Sequence, residues 1–189
     1  DAGFFFGRDA DAKALLAALE GHRMVGVVGA SGSGKSSLVR AGLIPKLRRG
    51  AAGHTWQIAV MMPGSRPYFA LARALLPLRE PERITTWSTG EVDDETERLA
   101  RRLERDGAEH LHHVVQQIFE EEPGTTHLLL LVDQWEELYT HRPREGEAAA
   151  AYAKQVRRFI GMLLAAVTIR DAVLKVVLTL RADYWGEVL

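Results

Sequence analysis

The stretch G-A-S-G-S-G-K-S-S runs from Gly29 to Ser37. It matches the pattern G-x-x-x-x-G-K-[ST], with Gly34, Lys35 and Ser36 at the last three specified positions. An apolar run precedes it and an amphipathic stretch follows it, as when a strand leads through a turn into a helix. The pattern and its setting predict a loop that binds phosphate groups, and they disfavour a chance glycine-rich turn.

Each residue type in this loop has a physical role in phosphate binding. Glycine allows backbone conformations that a Cβ would forbid, so successive N–H groups can point at phosphate oxygens. We expect Lys35 to bridge the β and γ phosphates of a nucleotide and the Ser36 hydroxyl to ligate Mg²⁺. The predicted nucleotide-binding residues of the loop are Gly29, Ser31, Gly32, Ser33, Gly34, Lys35, Ser36 and Ser37.

The composition of the 189-residue chain is that of one globular domain, with 47% hydrophobic and 26% charged residues. A net charge of -1 gives no general attraction to nucleic acid or to anionic lipid. The absence of cysteine excludes disulfides and thiolate metal sites. The chain shows no secretory signal pattern, and its longest apolar run, residues 128–132, is too short to span a bilayer. We therefore expect a cytoplasmic protein with no membrane partner and see no direct signal for nucleic-acid binding, although the net charge does not exclude a local basic patch.

Predicted strands alternate with predicted helices over most of the chain. The predicted strands are residues 24–28, 56–62, 128–132 and 173–180. The predicted helices are residues 9–19, the stretch after the glycine-rich loop, 67–76 and 152–167. Pro45 should bend or break the helix that follows the loop. This rhythm predicts an α/β fold of the P-loop NTPase type, a three-layer sandwich with a mainly parallel sheet and helices on both faces.

Residues 77–124 depart from this rhythm, and they predict a pair of helices inserted between the second and third strands, at the edge of the sheet. Ser88 and Glu91 fit a capping box at the start of the first helix. The ion pairs expected at i, i+4 on this helix are Asp94–Arg98 and Glu97–Arg101. The simplest interpretation of the charged residues in this insertion is that they form a solvent-exposed helix face.

The second inserted helix carries His110 and His113 on one face. A metal site at this position lacks the H-E-x-x-H spacing and a third ligand at a recognisable distance. We therefore interpret these residues as polar surface histidines, with metal binding as the weaker alternative.

A second group of candidate residues follows the third predicted strand. The apolar run 128–132 ends in Asp133, which is the Walker B pattern, so a buried strand would bring this carboxylate to the loop. There Asp133 would hold the Mg²⁺ hydration shell or bond to Ser36, whereas the alternative is a strand-end cap. Hydrolysis needs a carboxylate that polarises water, and Glu136 and Glu137 are the candidates. Because helical neighbours diverge by about 100°, we expect only one of them to face the nucleotide.

The third element is Arg181, at the end of the fourth predicted strand. A guanidinium there could bond to the γ phosphate, because it stays charged and makes directional bonds to phosphate oxygens. The alternative is a surface salt bridge, with Asp183 as a candidate partner. Spacing alone favours neither.

Four segments together resemble the STAND NTPases, and more narrowly the novel-STAND group that is often fused to WD40 or other repeats. The segments are Phe4–Asp9, Val27–Leu43, Leu131–Tyr139 and Leu178–Asp183. They occur in the order of the family's motifs and are spread over nearly the whole chain, which makes the resemblance more specific than the phosphate loop alone. The inserted helices are the weakly covered part.

The resemblance implies an ATP-dependent signalling switch that is ADP-bound at rest and ATP-bound when self-associated. It implies that Phe6 and Arg8 lie near the adenine and ribose, that the acidic motif falls on Glu136 and Glu137, and that Arg181 is the family's strand-end arginine. The chain stops soon after this arginine, so we expect a single core domain over residues 1–189 without the family's lid, winged-helix and sensor segments. Isolated turnover should then be slow.

Two alternatives to an Mg²⁺-dependent ATPase core remain. One is a module that works by nucleotide occupancy and self-association and hydrolyses negligibly. The other is a small-molecule kinase, whose arginine-rich lid only Arg142 and Arg144 would supply. One departure from the resemblance concerns residues 62–64, Met-Pro-Gly, where many relatives have Arg-Pro-Gly, and it leaves Arg66 as a candidate substitute.

Overall fold

The computed structural model describes residues 8–50, 53–143, 145–169 and 173–188. The strands are β1 (Met24–Gly29), β2 (Trp56–Met61), β3 (His127–Val132) and β4 (Leu174–Arg181). The helices are α1 (Asp9–Gly21), α2 (Lys35–Ser37), α3 (Ile44–Arg48), α4 (Pro67–Arg79), α5 (Pro81–Ile84), α6 (Thr89–Asp106), α7 (Ala108–Glu121), α8 (Glu137–Thr140), α9 (Gly146–Thr168) and α10 (Trp185–Val188). A π-helical segment, Leu38–Leu43, joins α2 to α3, and Ala182–Tyr184 is a 3₁₀ turn.

The strands form one sheet in the order β1-β4-β3-β2, and every pairing is parallel. The register sets Gly29 of β1 beside Arg181 of β4, and Met61 of β2 beside Val132 of β3. The carboxyl ends of all four strands therefore meet at one edge of the sheet. The predicted α/β three-layer fold is confirmed. The strand order adds that β4 separates the strand before the glycine-rich loop from the strand that leads to Asp133.

Helices cover both faces of the sheet, and β3 shows why. Its leucines alternate between two apolar clusters, with Leu128 and Leu130 in one and Leu129 and Leu131 in the other, all at most 1% exposed. The first cluster joins the sheet to α4, α6, α7 and α9, and the second joins it to α1, the π-helical segment and α3. A strand that is apolar on both faces is typical of the centre of a parallel sheet, which is where β3 lies.

The helix after the glycine-rich loop differs from its prediction, because the chain stays helical through Pro45. This proline lies in the first turn of α3, where a missing N–H breaks no helical hydrogen bond that the turn requires. The irregularity lies before it, where residues 38–43 are π-helical and Ile44 N–H bonds to the carbonyl of Val39. Of the predicted bend or break at Pro45, the break is wrong, because the chain is helical on both sides of this proline.

The inserted helices α6 and α7 pack on α4, which itself covers the edge strand β2. The predicted capping box is confirmed, with Ser88 accepting from Glu91 N–H and the Glu91 carboxylate accepting from Ser88 N–H. The predicted Glu97–Arg101 pair is present at 3.8 Å. The predicted Asp94–Arg98 pair is wrong, because Arg98 bonds to Glu95 at 3.0 Å instead.

Ion pairs tie the first inserted helix to α4. Arginines of α4 and its N-cap contact carboxylates of α6, in the pairs Arg66–Glu97, Arg73–Asp93 and Arg79–Glu95. Arg79 is only 8% exposed, whereas the other two arginines lie at the surface. The charge run of the insertion is therefore partly an interhelical contact and only partly a solvated face.

Among the described residues, no helix combines the length and the apolar composition that crossing a bilayer would require.

Candidate functional site

A cleft of about 420 Å³ opens at the carboxyl edge of the sheet. Three separate segments of the chain line it, namely the glycine-rich loop, the turn after β3 and the end of β4. The lining residues are Ser31, Gly32, Lys35, Ser36, Gln134, Glu136, Glu137, Thr140, His141, Thr179 and Arg181. The fold thus brings the three groups of sequence-predicted candidates to one place.

Glycine is required at several positions of the loop. Gly32 and Gly34 have φ values of 71° and 80°, in the left-handed region that a side chain disfavours. A Cβ on Gly29 would lie 2.8 Å from the Ser33 hydroxyl oxygen, closer than van der Waals contact allows. Lys35 Nζ donates to the carbonyls of Gly29 and Ala30, at 3.0 and 2.8 Å. The lysine therefore holds the loop closed on itself at the cleft wall.

Arg8 lies next to this loop, before α1. It donates through Nη1 to the carbonyl of Ser33 at 2.8 Å and through Nε to the Asp11 carboxylate at 2.8 Å. Its guanidinium is also within reach of Gly34, since a Cβ there would lie 3.3 Å from Nη1. The predicted contact residue Phe6 lies outside the described residues, so its placement stays a prediction.

Asp133, directly after β3, lies beneath the cleft and is only 2% exposed. Its Oδ1 accepts from the hydroxyls of Ser36, at 2.7 Å, and of Thr179, at 2.6 Å. Its Oδ2 accepts from Nε of Arg40 at 3.1 Å. Burial raises the pKa of this carboxyl, but the hydrogen bonds from Ser36, Thr179 and Arg40 outweigh burial, so the pKa lies below its ordinary value. Asp133 is therefore an ionised carboxylate in contact with Ser36 of the glycine-rich loop.

The two predicted acidic candidates have different surroundings. Glu136 is 7% exposed, and its Oε2 accepts from the backbone N–H of Arg181 at 3.3 Å. Glu137 Oε2 accepts from the backbone N–H of Gly64 at 2.9 Å, and the Gly64 carbonyl accepts from Tyr152. Glu136 thus contacts the end of β4, whereas Glu137 holds the turn that follows β2.

Arg181 lines the cleft, and its side chain is 39% exposed. It donates to both oxygens of Asp183, at 3.2 and 2.7 Å, and its guanidinium lies 5.3 Å from the ring centre of Tyr184. These contacts with Asp183 raise the pKa of the guanidinium further. The pair with Asp183 that the sequence offered as an alternative is present in this conformation.

A model of the Novel STAND NTPase 1 family matches residues 1–189 of the chain. The chain belongs to this family. Searches of curated proteins and of solved structures gave no match. The family implies nucleotide use, so the cleft of this novel STAND NTPase is its candidate nucleotide site.

The sequence analysis missed four residues that line the cleft, Gln134, Thr140, His141 and Thr179, and one further residue, Arg40, that contacts Asp133. Thr179, one residue before the last apolar position of β4, is 1% exposed and joins the two motifs: its Oγ1 donates to Asp133 and accepts from the backbone N–H of Gln134 at 2.9 Å. Gln134 has φ of 60°, a conformation that costs free energy in a residue with a side chain. The available signal for Thr179 was a hydroxyl residue between two leucines near the end of a mainly apolar strand, and Arg40 offered none.

Several predicted residues of the NTPase do not line the cleft. Ser33 and Ser37 are exposed next to the cleft. Gly29 and Gly34 belong to the loop, where a Cβ would lie close to Ser33 and Arg8, but they do not line the cleft. Arg66, the candidate substitute after β2, pairs instead with Glu97 and lies over the Phe69 ring. These residues keep their predicted roles only as proposals.

The remaining alternatives can also be placed. Burial lowers the pKa of His110, and its Nε2 has no hydrogen-bond partner. No group of three potential ligands that could hold a metal was found among the described residues. Arg142 is exposed and does not line the cleft, and Arg144 lies outside the described residues.

Proposed function

We propose that this domain is the ATP-binding and ATP-hydrolysing core of a STAND-type signalling switch, with Mg²⁺ as its cofactor. The observation that carries the proposal is the 2.7 Å hydrogen bond from Ser36 to Asp133, across 97 residues of sequence. It joins the buried carboxylate to the proposed phosphate-loop serine, and this serine lines the cleft together with Lys35. Serine and carboxylate oxygens side by side are the groups that a hard cation such as Mg²⁺ prefers.

The local contacts fit a nucleotide and its metal. Ser36 donates its only proton to Asp133, so the lone pairs of its hydroxyl oxygen remain available to a cation. Within the described part of the chain, the Lys35 ammonium donates to two backbone carbonyls of the loop, which phosphate oxygens can replace as stronger acceptors. A bound metal would neutralise negative charge on the phosphates when the γ-phosphoryl group is transferred to water. Gly29, Gly32 and Gly34 would let the loop's N–H groups approach the phosphates.

Of the two acidic candidates, we favour Glu136 as the residue that accepts a proton from the attacking water. Glu137 already holds the Gly64 N–H at 2.9 Å, a contact that a catalytic base would have to give up. The Glu136 contact to Arg181 N–H is longer, at 3.3 Å, and uses only one carboxylate oxygen. In this assignment Glu137 is a positioning residue that fixes the turn after β2.

The γ phosphate would provide the switch. It adds negative charge and acceptor atoms that Lys35 and Arg181 can contact only in the ATP state, and such a difference can bias a conformational equilibrium. Self-association of the ATP state and a cytoplasmic location complete the proposal. Phe6 and Arg8 would contact the base and ribose.

One observation favours the second candidate, an occupancy module with negligible hydrolysis. The Arg181 guanidinium is held by Asp183, so the group proposed to contact the γ phosphate is engaged in an internal ion pair. Such a site would bind nucleotide through the loop without assembling the groups that hydrolyse it.

A binding titration tests the shared part of both candidates. We expect calorimetry to show ATP and ADP binding that tightens with Mg²⁺ and exceeds GTP binding. Lys35→Ala should weaken ATP binding by about tenfold or more, since it removes a charge-assisted phosphate contact. Equal affinity in wild type and Lys35→Ala would mean that the site is assigned wrongly.

Single-turnover hydrolysis separates the two candidates. We expect Glu136→Gln to lose hydrolysis by about 100-fold while retaining ATP binding, as for removal of a general base. Glu137→Gln is the matched control, and it should lose less. The absence of hydrolysis in wild type would leave only the occupancy module for this domain.

A further inference from the structure

Arg40 contacts the carboxylate proposed to serve the metal. Its Nε and Nη2 each lie 3.1 Å from Oδ2 of Asp133. The other oxygen, Oδ1, is already taken by the hydroxyls of Ser36 and Thr179. Both oxygens of this buried carboxylate are therefore in use, and Arg40 is the partner that supplies the compensating charge.

The two sides of this ion pair differ in exposure. The Asp133 side chain is 3% exposed, whereas the Arg40 side chain is 49% exposed. Water can therefore solvate the guanidinium when it leaves, but it cannot reach the carboxylate to the same extent. Arg40 is the exchangeable member of the pair, and Asp133 is the fixed one.

The position of Arg40 in the chain ties it to the phosphate loop. It follows Ser36 by four residues and lies within the π-helical segment Leu38–Leu43. Short π-helical segments are rarer and less favourable than α-helix, and they occur frequently at functional sites. The residue that neutralises Asp133 thus comes from the same loop–helix unit as the proposed metal ligand.

Arg40 and a metal ion would make incompatible use of the same oxygen. Mg²⁺ keeps several of its waters in proteins, and their protons need acceptors. Oδ2 is the Asp133 oxygen that no hydroxyl occupies, and Arg40 holds it. A dication close to a guanidinium is also repelled by it. Arg40 and a metal-bound water would therefore compete for Oδ2, and repulsion between the two cations makes simultaneous occupancy unfavourable.

We propose that Arg40 is an internal counter-ion that competes with Mg²⁺ for Asp133. Arg40 neutralises the buried carboxylate while the site is without metal, and it is displaced toward solvent when metal and nucleotide arrive. Arg40 is therefore a positioning residue that raises the Mg²⁺ concentration needed for nucleotide binding. This inference rests on the proposed function, because it takes Asp133 as the carboxylate that serves the metal.

The test is a Mg²⁺ titration of ADP binding, which avoids any contribution from hydrolysis. In Arg40→Gln the charge is lost, and we expect the Mg²⁺ concentration for half-maximal ADP binding to fall by about tenfold. Arg48→Gln is the matched control, since it removes an equal charge from an exposed position on α3, and it should match wild type. Arg40→Lys, which keeps the charge, should stay near the wild-type value.

A merely structural role for Arg40 would give the opposite sign. Loss of a support for Asp133 would raise the Mg²⁺ requirement of Arg40→Gln, and that result overturns the inference, as does an unchanged requirement. Thermal melting gives a second readout: added Mg²⁺ and ADP should raise the melting temperature of Arg40→Gln more than that of wild type. If wild type binds ADP independently of both Mg²⁺ and Lys35, the proposed function fails and the inference falls with it.

Discussion

We expect the Thr179 hydroxyl to contribute more to the free energy of unfolding of this domain than the hydroxyl of an ordinary buried threonine does. It donates to Asp133 at 2.6 Å and accepts from Gln134 N–H at 2.9 Å. Thr179→Val keeps the shape of the side chain and removes both bonds. The substitution therefore leaves a buried carboxylate short of one donor and a backbone N–H without an acceptor.

The magnitude follows from these two losses. A hydrogen bond to a charged group contributes about 1.5–3 kcal/mol, and a buried N–H left unpaired costs about 1–3 kcal/mol. Because Gln134 sits in a turn that can relax, we expect a total loss of about 2–4 kcal/mol in the free energy of unfolding. Thr179→Ser keeps the hydroxyl and deletes one methyl, so it should cost about 1 kcal/mol.

Thr96 provides a matched control. It is 0% exposed, and its hydroxyl donates to the carbonyl of Val92 one turn earlier in α6. That carbonyl also accepts from the helical backbone, so Thr96→Val leaves no polar atom unpaired and should change stability by less than about 1 kcal/mol. The two substitutions differ because Thr179→Val leaves polar partners without a hydrogen bond, whereas Thr96→Val does not.

Urea denaturation followed by tryptophan fluorescence measures the difference, and Trp135, 3% exposed, reports on the same turn. With a slope of about 2 kcal/mol/M, the expected loss moves the Thr179→Val midpoint down by about 1–2 M. The Thr96→Val midpoint should stay within about 0.5 M of wild type. Equal losses in the two variants would refute the idea that Thr179 joins Asp133 to the turn.

Three further predictions concern other parts of the molecule. Arg79→Met should lower the free energy of unfolding in urea by about 1–3 kcal/mol, because this 8% exposed arginine joins α4 to α6. Arg101→Met is the control at an exposed ion pair, and it should change the free energy of unfolding by less than about 0.5 kcal/mol. Equal effects of the two substitutions would contradict this account. The pKa of His127 is lowered to about 4 by burial and by a neighbouring histidine and lysine. The unfolded chain therefore binds its proton near pH 6.5 and the folded chain only near pH 4, so stability should fall as pH drops through this window, and His127→Gln should flatten the urea midpoint against pH. If Arg181 contacts the γ phosphate, Arg181→Gln should weaken ATP binding about tenfold more than ADP binding. Asp183→Asn removes the charged partner of this arginine and should increase the preference for ATP over ADP. Parallel changes in the two affinities would exclude the contact.

The strands were predictable from sequence within one residue at each end. Each is a short apolar run with polar or turn residues on both sides, and burial on both faces makes such runs continuous. The capping box at Ser88 was predictable for a similar reason, since its two bonds connect residues three apart. Local features were readable where the backbone fixes the geometry, as in the capping box, but not where one side chain has a choice of partners, as Arg98 has.

The order of the strands was not predictable in the same way. Nothing in the spacing of apolar runs specifies that β4 lies between β1 and β3. This order puts Thr179 under Asp133 and Arg181 beside Gly29, so the details of the site depend on it. Arg40 was missed for a related reason, because an arginine in an amphipathic helix has the pattern of a solvated residue until its distant partner is known.

Asp133 links the stability of this sheet edge to the chemistry of the cleft. Its backbone N–H bonds to the Met61 carbonyl of β2, and its side chain receives donors from the phosphate loop, the π-helical segment and β4. The bond from Thr179 is buried, whereas the bond from Arg40 comes from a side chain that is half exposed to water. A cation that replaced Arg40 would leave the buried part of this network intact, because the Thr179 and Ser36 hydroxyls share the other oxygen. If a cation replaces Arg40 as proposed, the charge at Oδ2 would change while the bonds to Oδ1 hold the sheet edge in register, as the proposed reversible switch requires.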